Sequence, residues 1–298
     1  MITRYKGWRR FAVLALVFVV ALTMTVGCSN NAGTGGNGDA TGDKGTIRIG
    51  YVNWAECVAV SNLWKVLLEE QGYKVTLTQL DVAPLFTGLS QGDLDLFMDS
   101  WLPITHESYW NEYQESLEDY GVWYEPAKIG VAVPKYVTID SLEQLKDEAG
   151  KFGGKIIGID PGAGIMKASA RAVEDYALDI EVVQGSEAAM MAELDRAYGN
   201  QEWIAITGWS PHWMFDSYDL KYLDDPKESY GEAEKLHTLA YKEFSKEYPE
   251  VAAMLKKFKM SDAEIGSLEA LINEGMEPVA AAKQWIPENQ AVVDSWIK

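Results

Sequence analysis
The chain has 298 residues, 47% of them hydrophobic, with 26 Lys plus Arg against 45 Asp plus Glu and a formal net charge of −19. That balance argues against nucleic acid and against an anionic membrane surface as partners. The charge is spread along the chain, so it serves solubility and does not fix the charge of a ligand.

The first residues read as an export signal. Arg4, Lys6, Arg9 and Arg10 form a positive n-region, and Phe11 to Val26 is an uncharged apolar h-region. It is too short, and too close to a small-residue stop, to read as a spanning helix. Residues 1–27 are therefore expected to be a signal peptide. Thr25-Val26-Gly27-Cys28 resembles the lipobox of bacterial lipoproteins, with Thr25 where that motif usually carries Leu. The resemblance implies cleavage before Cys28, lipidation of Cys28, and a chain anchored by lipid on the extracytoplasmic face of the cell membrane.

Residues 28–45 follow as lipidated cysteine and linker. Ser29 to Gly45 is mostly Gly, Asn, Asp, Thr and Ala. Such a stretch cannot bury a core and is expected to be a flexible tether spanning about 20–25 Å root-mean-square. With Cys28 consumed by lipid, Cys57 is the single remaining cysteine and forms no internal disulfide. It reads as a small packing residue.

The rest is long enough for one large α/β domain or two lobes. Thr46–Tyr51 alternates as a strand, and Val58–Gln71 has helical periodicity with Gly72 as its stop. Lys74–Gln79 is the next strand, Val82–Ser90 a short helix, Leu94–Met98 a strand, and Thr105–Tyr120 a polar amphipathic helix. This is a βαβαβ run. Lys128–Val133 is a further strand, stopped by Pro134. A second unit follows, with a helix at Ser141–Ala149, a strand at Lys155–Ile159 and a tight turn at Asp160-Pro161-Gly162-Ala163-Gly164. It continues with a helix at Ile165–Tyr176, a strand at Ile180–Val183, a helix at Glu187–Arg196, a strand at Trp203–Thr207 and a short helix at Pro211–Phe215. Lys221–Leu223 reads as a short strand returning to the first unit, and from Ala233 the pattern reads as helical to the end, with breaks near Pro249 and Pro287. The expected architecture is α/β with two lobes. Residues 46–133 form the first part of lobe 1 and 134–220 form lobe 2. Residues 221–298 make a return crossover and C-terminal helices that pack on lobe 1.

Three of the eleven tryptophans share one context. Trp54, Trp101 and Trp209 each follow a short apolar strand pattern that stops at a polar or glycine step. Ligands of open α/β sheets bind beyond the carboxyl ends of the strands. Three indoles at that edge would form a cage for a cation without hydrogen-bond donors, attracted by the ring faces. The other reading is packing, which is assigned to Trp64, Trp110, Trp123, Trp285 and Trp296. Since Trp54 and Trp101 fall in the first lobe and Trp209 in the second, such a cage would be assembled on closure.

Two more features belong with the cage. Gly164 and Ile165 open a helix after a small-residue turn, and the free N–H groups of a helix N-terminus form an anion site. The turn lacks the Gly-Lys-Ser/Thr ending of a P-loop, and an ordinary βα turn is the alternative. His106 lies just beyond Trp101 and could donate to an anion, or simply cap a helix. His212 reads as structural, and His237 has no partner motif. Cage, helix terminus and histidine together describe a zwitterion with a quaternary ammonium head and a carboxylate.

Several stretches carry a family resemblance: Tyr51-Val52-Asn53-Trp54, Ser100-Trp101-Leu102-Pro103-Ile104-Thr105-His106, Asp160-Pro161-Gly162-Ala163-Gly164-Ile165-Met166, Gly208-Trp209-Ser210-Pro211-His212-Trp213-Met214-Phe215 and Lys221-Tyr222-Leu223-Asp224-Asp225-Pro226. They resemble the substrate-binding lipoproteins of glycine betaine ABC transporters. The resemblance implies the two-lobed type II periplasmic-binding-protein fold with ligand in the interlobe cleft. It implies a tryptophan prism of Trp54, Trp101 and Trp209 for the trimethylammonium, and a carboxylate clamp of His106 and the Gly164 and Ile165 amides. It also implies docking on a membrane permease with a cytoplasmic ATPase, in the service of osmoprotectant uptake, with no cofactor and no metal. Choline or carnitine is the alternative ligand, and Tyr51 or Tyr124 is a candidate fourth ring. A secreted enzyme on a small polar substrate is the rival class. The chain has no Gly-x-Ser-x-Gly elbow, no His-Glu-x-x-His and no Cys/His cluster to support it.

Overall fold
The computed structural model describes residues 44–298, and the predicted leader and Cys28 lie outside them. Among the described residues no helix is long and apolar enough to cross a membrane.

The chain begins with β1 (Thr46–Tyr51), α1 (Ala55–Glu70), β2 (Lys74–Gln79), α2 (Val82–Gln91) and β3 (Leu96–Leu102). β1 pairs in parallel with both β2 and β3. Its inward residues Ile47 and Ile49 are fully buried, and all seven residues of β3 are buried. Parallel strands covered on both faces take such continuous apolar runs. α1 buries Cys57, Val60, Leu63, Trp64 and Leu67 on its core face. Cys57 is a packing residue here, its Sγ accepting from the Val52 amide. α2 ends at Gly92, whose φ of 76° is the left-handed conformation that terminates helices.

α3 (Glu107–Tyr113) and a 3₁₀ turn at Gln114–Ser116 lead into β4 (Leu117–Pro134). The helix expected over Thr105–Tyr120 is therefore short, because the chain from Leu117 onward is taken into the sheet. β4 is 18 residues long and serves two groups of strands. After β4 come α4 (Leu142–Glu148), β5 (Lys155–Ile157), α5 (Gly164–Asp175), β6 (Glu181–Val183), α6 (Glu187–Gly199), β7 (Ile206–Ser210), α7 (Met214–Ser217), β8 (Leu220–Tyr222) and β9 (Glu234–Tyr241). β9 runs antiparallel between β3 and the first part of β4, as far as the pair Ala127↔Glu234. From Lys128 onward β4 pairs with β7, and its last residues pair with β8. The strand order is β2-β1-β3-β9-β4-β7-β5-β6, with β8 beside β4. Two parallel-rich halves thus meet along one strand, with partners switching between Ala127 and Lys128.

Two expectations are corrected. Lys221 and Tyr222 pair with β4 on the second half of the sheet and do not return to the first. The return is made by β9, inside the stretch expected to be helical. Leu236, Leu239 and Ala240 have helical spacing, but Thr238 between them is buried too. The face of Glu234, Leu236, Thr238 and Ala240 is buried throughout, but two of its four residues are polar and Leu239 is buried on the other face, so the sequence loses the period-two signal.

The tail forms α8 (Phe244–Glu247), α9 (Pro249–Leu255), α10 (Asp262–Asn273), α11 (Pro278–Glu288) and α12 (Gln290–Ile297). α10 and α11 pack on α1. Four of the five tryptophans assigned to packing are buried, and Trp64, Trp123 and Trp296 all meet Phe258. Trp110 is partly buried against the core.

Candidate functional site
The site is built where β1, β3 and β7 end. Trp54 is the N-cap of α1, one short step past β1. Trp101 and Trp209 are the penultimate residues of β3 and β7, so they sit within strand ends and not beyond them. All three indoles are 3–5% exposed. They wall one cavity of about 280 Å³, together with Glu56, Thr105, Ile129, Ile159, Ala163, Gly164 and Ile165. Tyr51 and Tyr124 are not among its walls; the Tyr124 hydroxyl donates to Asp262 at 2.5 Å.

Each half of the sheet reaches into the other through these rings. The Trp54 Nε1–H donates to Asp160 Oδ2 at 3.3 Å, and the Trp209 Nε1–H donates to Glu56 Oε2 at 2.9 Å. Glu187, at the start of α6, accepts from the Ala55 amide at 3.0 Å and lies 3.2 Å from His212 Nε2. The Tyr109 hydroxyl donates to the Gly162 carbonyl at 3.2 Å. His212 is buried in this scaffold, with its Nδ1 accepting from the Met214 amide. His237, opposite Ser100 in the β3–β9 pairing, pairs with Asp119.

His106 lies under the cavity and is not one of its walls. Its Nδ1 accepts from the Trp101 amide at 3.0 Å, which assigns the neutral ring's proton to Nε2. Its ring stacks on Trp54 with centroids 5.9 Å apart. Nε2 is buried and has no hydrogen-bond partner. Burial, and then the charge of Lys167, push its pKa down to about 3, so the ring stays neutral through the physiological range. Glu234 fixes the loop that carries it, accepting from the Ile104 and Thr105 amides at 2.8 and 2.7 Å and from the Thr105 hydroxyl.

Gly164 and Ile165 are the first two residues of α5, so their N–H groups have no intrahelical acceptor. Gly164 is glycine for a steric reason. A Cβ there would stand 2.2 Å from the Thr105 carbonyl oxygen.

The floor is acidic. Burial, with Asp99, Glu187 and Glu269 nearby, holds the Glu56 carboxyl well above the usual carboxylate range. Burial pushes Asp99 up to about 7, an effect partly offset by the side chains of Trp101, Glu56 and Cys57. No set of side chains suited to a metal ion occurs among the described residues. A cavity with three indoles, a buried carboxyl group and two open amides can hold a cationic head at one end and an anionic group at the other.

Of the residues singled out in the sequence, five line this one cavity, and His106 supports two of its rings. Glu56, Asp160, Thr105, Ile129, Ile159 and Glu234 were not foreseen. Ile159 and Asp160, at the turn before α5, and Thr105, in the run from Ser100 to His106, lay in stretches that had drawn notice.

Known proteins share this architecture. Glycine betaine/carnitine transport binding protein GbuC of Listeria monocytogenes is 39% identical over 162 residues, which is 53% of this chain and 54% of that protein, so the match spans about half the length of this relative. The crystal structure of lactococcal OpuAC, closed and complexed with glycine betaine, is 38% identical, covering 85% of this chain and 99% of that one with a TM-score of 0.81. The glycine betaine/L-proline-binding protein ProX of Borrelia burgdorferi is 33% identical over 85% of this chain and 97% of its own, also with a TM-score of 0.81. The profile of the substrate binding domain of ABC-type glycine betaine transport systems, OpuAC, matches residues 45–288, essentially the whole of the fold just described, and the chain belongs to that family.

Proposed function
We propose that this protein is the extracytoplasmic receptor of an ABC importer and that it captures glycine betaine, and proline betaine or a similar solute, for osmoprotectant uptake. Trp54, Trp101 and Trp209 surround the trimethylammonium group, which offers no N–H and must be held by ring faces and apolar contact. The amides of Gly164 and Ile165 and the Nε2–H of His106 take the carboxylate. The observation that carries this reading is the shared cavity: three indoles and the N-terminus of α5 line one space.

The two lobes follow the two halves of the sheet, with β4 passing from one to the other at Ala127 and Lys128. Closure around the ligand brings Trp209 to Glu56 and Trp54 to Asp160. The protein is a carrier and returns its ligand unchanged. It hands the ligand to a permease driven by a cytoplasmic ATPase, and the lipid on Cys28 keeps it at the membrane.

A second reading, choline as the main ligand, is favoured by Glu56; carnitine, a zwitterion like glycine betaine, is not separated from it by this residue. A ligand with a net positive charge would draw the proton from this carboxyl and pair with it in the cavity wall.

The test is a titration of the protein with glycine betaine and, separately, choline, followed by tryptophan fluorescence. Saturable change with glycine betaine and little with choline supports cage and clamp together. Choline binding as well or better removes His106, Gly164 and Ile165 from the site. Silence towards both, in folded protein, removes the cage.

A further inference from the structure
Behind Trp54 lies a second cavity, half open, with about 800 Å³ of empty space, lined by residues from both halves of the molecule. Asn53, Trp54, Ala55 and Val58 come from the start of α1, Glu269, Ile272 and Asn273 from α10, and Pro278 from α11. Across from them stand Glu187, Ala188 and Met191 of α6, and Trp213.

Its chemistry differs from that of the cage. Ile265, Leu268, Glu269 and Ile272 form the inward stripe of α10, and Glu269 is the one acid in it. Glu269 is 1% exposed, and neither of its carboxylate oxygens has a hydrogen-bond partner. Burial, and then the nearby Glu187, push the Glu269 carboxyl well above the usual carboxylate range, an effect partly offset by the Trp213 backbone. Glu187, the other acid, is occupied by Ala55 and His212. A carboxylate buried without a donor is costly, and a stripe position otherwise filled by Leu or Ile has no packing need for one.

We propose that this cavity binds a small organic cation that carries N–H donors, of the alkylammonium class. Its ammonium donates to Glu269 and its alkyl part lies against Trp213, Met191, Val58 and Ile272. The ring faces of Trp54 and Trp213 suit a cation, and the free carboxylate oxygens require N–H, which a quaternary ammonium lacks. The two sites therefore select different ammonium classes, with Trp54 as the wall between them.

n-Butylammonium serves as probe, read by ligand-observed NMR on the whole protein. Saturable binding is expected to the native protein and, within twofold, to Trp209→Ala, which removes a wall of the first cavity and no lining residue of the second. Binding at least fivefold weaker is expected in Glu269→Gln and in Ala188→Trp, where a bulky ring enters from the exposed rim. In the Trp209→Ala protein, tetramethylammonium should bind at least fivefold more weakly than butylammonium. Absence of saturable binding overturns the proposal, as does undiminished binding in Ala188→Trp. Loss in Trp209→Ala with native affinity in Glu269→Gln would also overturn it, by putting the cation in the cage. Ala188 is exposed, so its variant decides the matter even where Glu269→Gln fails to fold.

Discussion

Trp209 and Glu56 stand 153 residues apart in the chain and are joined by a 2.9 Å hydrogen bond between two buried side chains. The bond links the end of β7 to the first turn of α1, and it can form only when the two halves of the molecule are together. Removing the acceptor would leave the indole N–H buried and unmet, at a cost of about 1–3 kcal/mol. Glu56→Ala is expected to weaken glycine betaine roughly tenfold, as measured by calorimetry. Glu56→Gln keeps an acceptor for the indole but cannot ionise when a cation is bound. It should therefore lose less for the zwitterion than for choline, and an equal loss for both ligands would show that the carboxylate's charge is not felt in the cage.

The three rings are expected to contribute separately. Trp54→Ala, Trp101→Ala and Trp209→Ala should each cost tenfold or more in affinity, about the 1.4 kcal/mol that one desolvated ring supplies. Near-native binding by all three variants would dispose of the cage.

His106 is held with Nδ1 engaged by the Trp101 amide, so its Nε2–H is a donor that does not depend on pH near neutrality. His106→Ala should weaken glycine betaine far more than choline. The native protein's affinity for glycine betaine should be flat between pH 5.5 and 8 as far as this ring is concerned. Equal losses for the two ligands would separate His106 from the carboxylate.

How much of this could be read in advance follows the range of the forces involved. Trp54, Trp101 and Trp209 announced themselves through strand patterns a few residues long, and the turn before Gly164 through its small residues. Glu56, Asp160 and Glu234 did not. In a chain with 45 acidic residues, an acid on a helix, in a turn or at a strand start looks like solvated surface until the fold sets it against a ring or a loop. Trp54 and Asp160 are 106 residues apart, and no local pattern pairs them. β9 was missed for a different reason. Its buried face carries Glu234 and Thr238 beside Leu236 and Ala240, and Leu239 is buried on the other face, so the alternation of burial is not an alternation of polarity.

Two buried groups beneath the cavity pull stability in opposite directions with pH. The pKa of His106 is lowered from 6.5 to about 3, so its contribution is complete above 6.5 and is lost as pH falls toward 3. That of Asp99 is raised from 3.8 to about 7, so its contribution is complete below 3.8 and is lost as pH rises through 7. Asp99→Asn removes the second effect. Its thermal midpoint should exceed the native one at pH 8 by several degrees, at about 2–4 °C per kcal/mol for a chain of this size. The advantage should shrink at pH 5, where the native carboxyl is already protonated in the folded state. An advantage of the same size at both pH values would mean that Asp99 is not the titrating group.

Gly164 offers the sharpest separation of folding from function. Its backbone is ordinary for any residue, as the first position of a helix, so alanine is tolerated locally. The obstacle is across the cleft, where a Cβ would stand 2.2 Å from the carbonyl oxygen of Thr105 and 2.5 Å from its Cγ2. Thr105 cannot retreat easily, because Glu234 holds its amide and hydroxyl and the amide of Ile104. Gly164→Ala should therefore leave the circular dichroism spectrum and the unliganded thermal midpoint close to native. It should weaken glycine betaine by well over tenfold, since the two walls could no longer meet around the ligand and the amides of residues 164 and 165 would be held away from it. A variant that binds normally would mean that the loop at Thr105 yields. A variant that fails to fold would mean that this contact is part of the unliganded structure and not of closure.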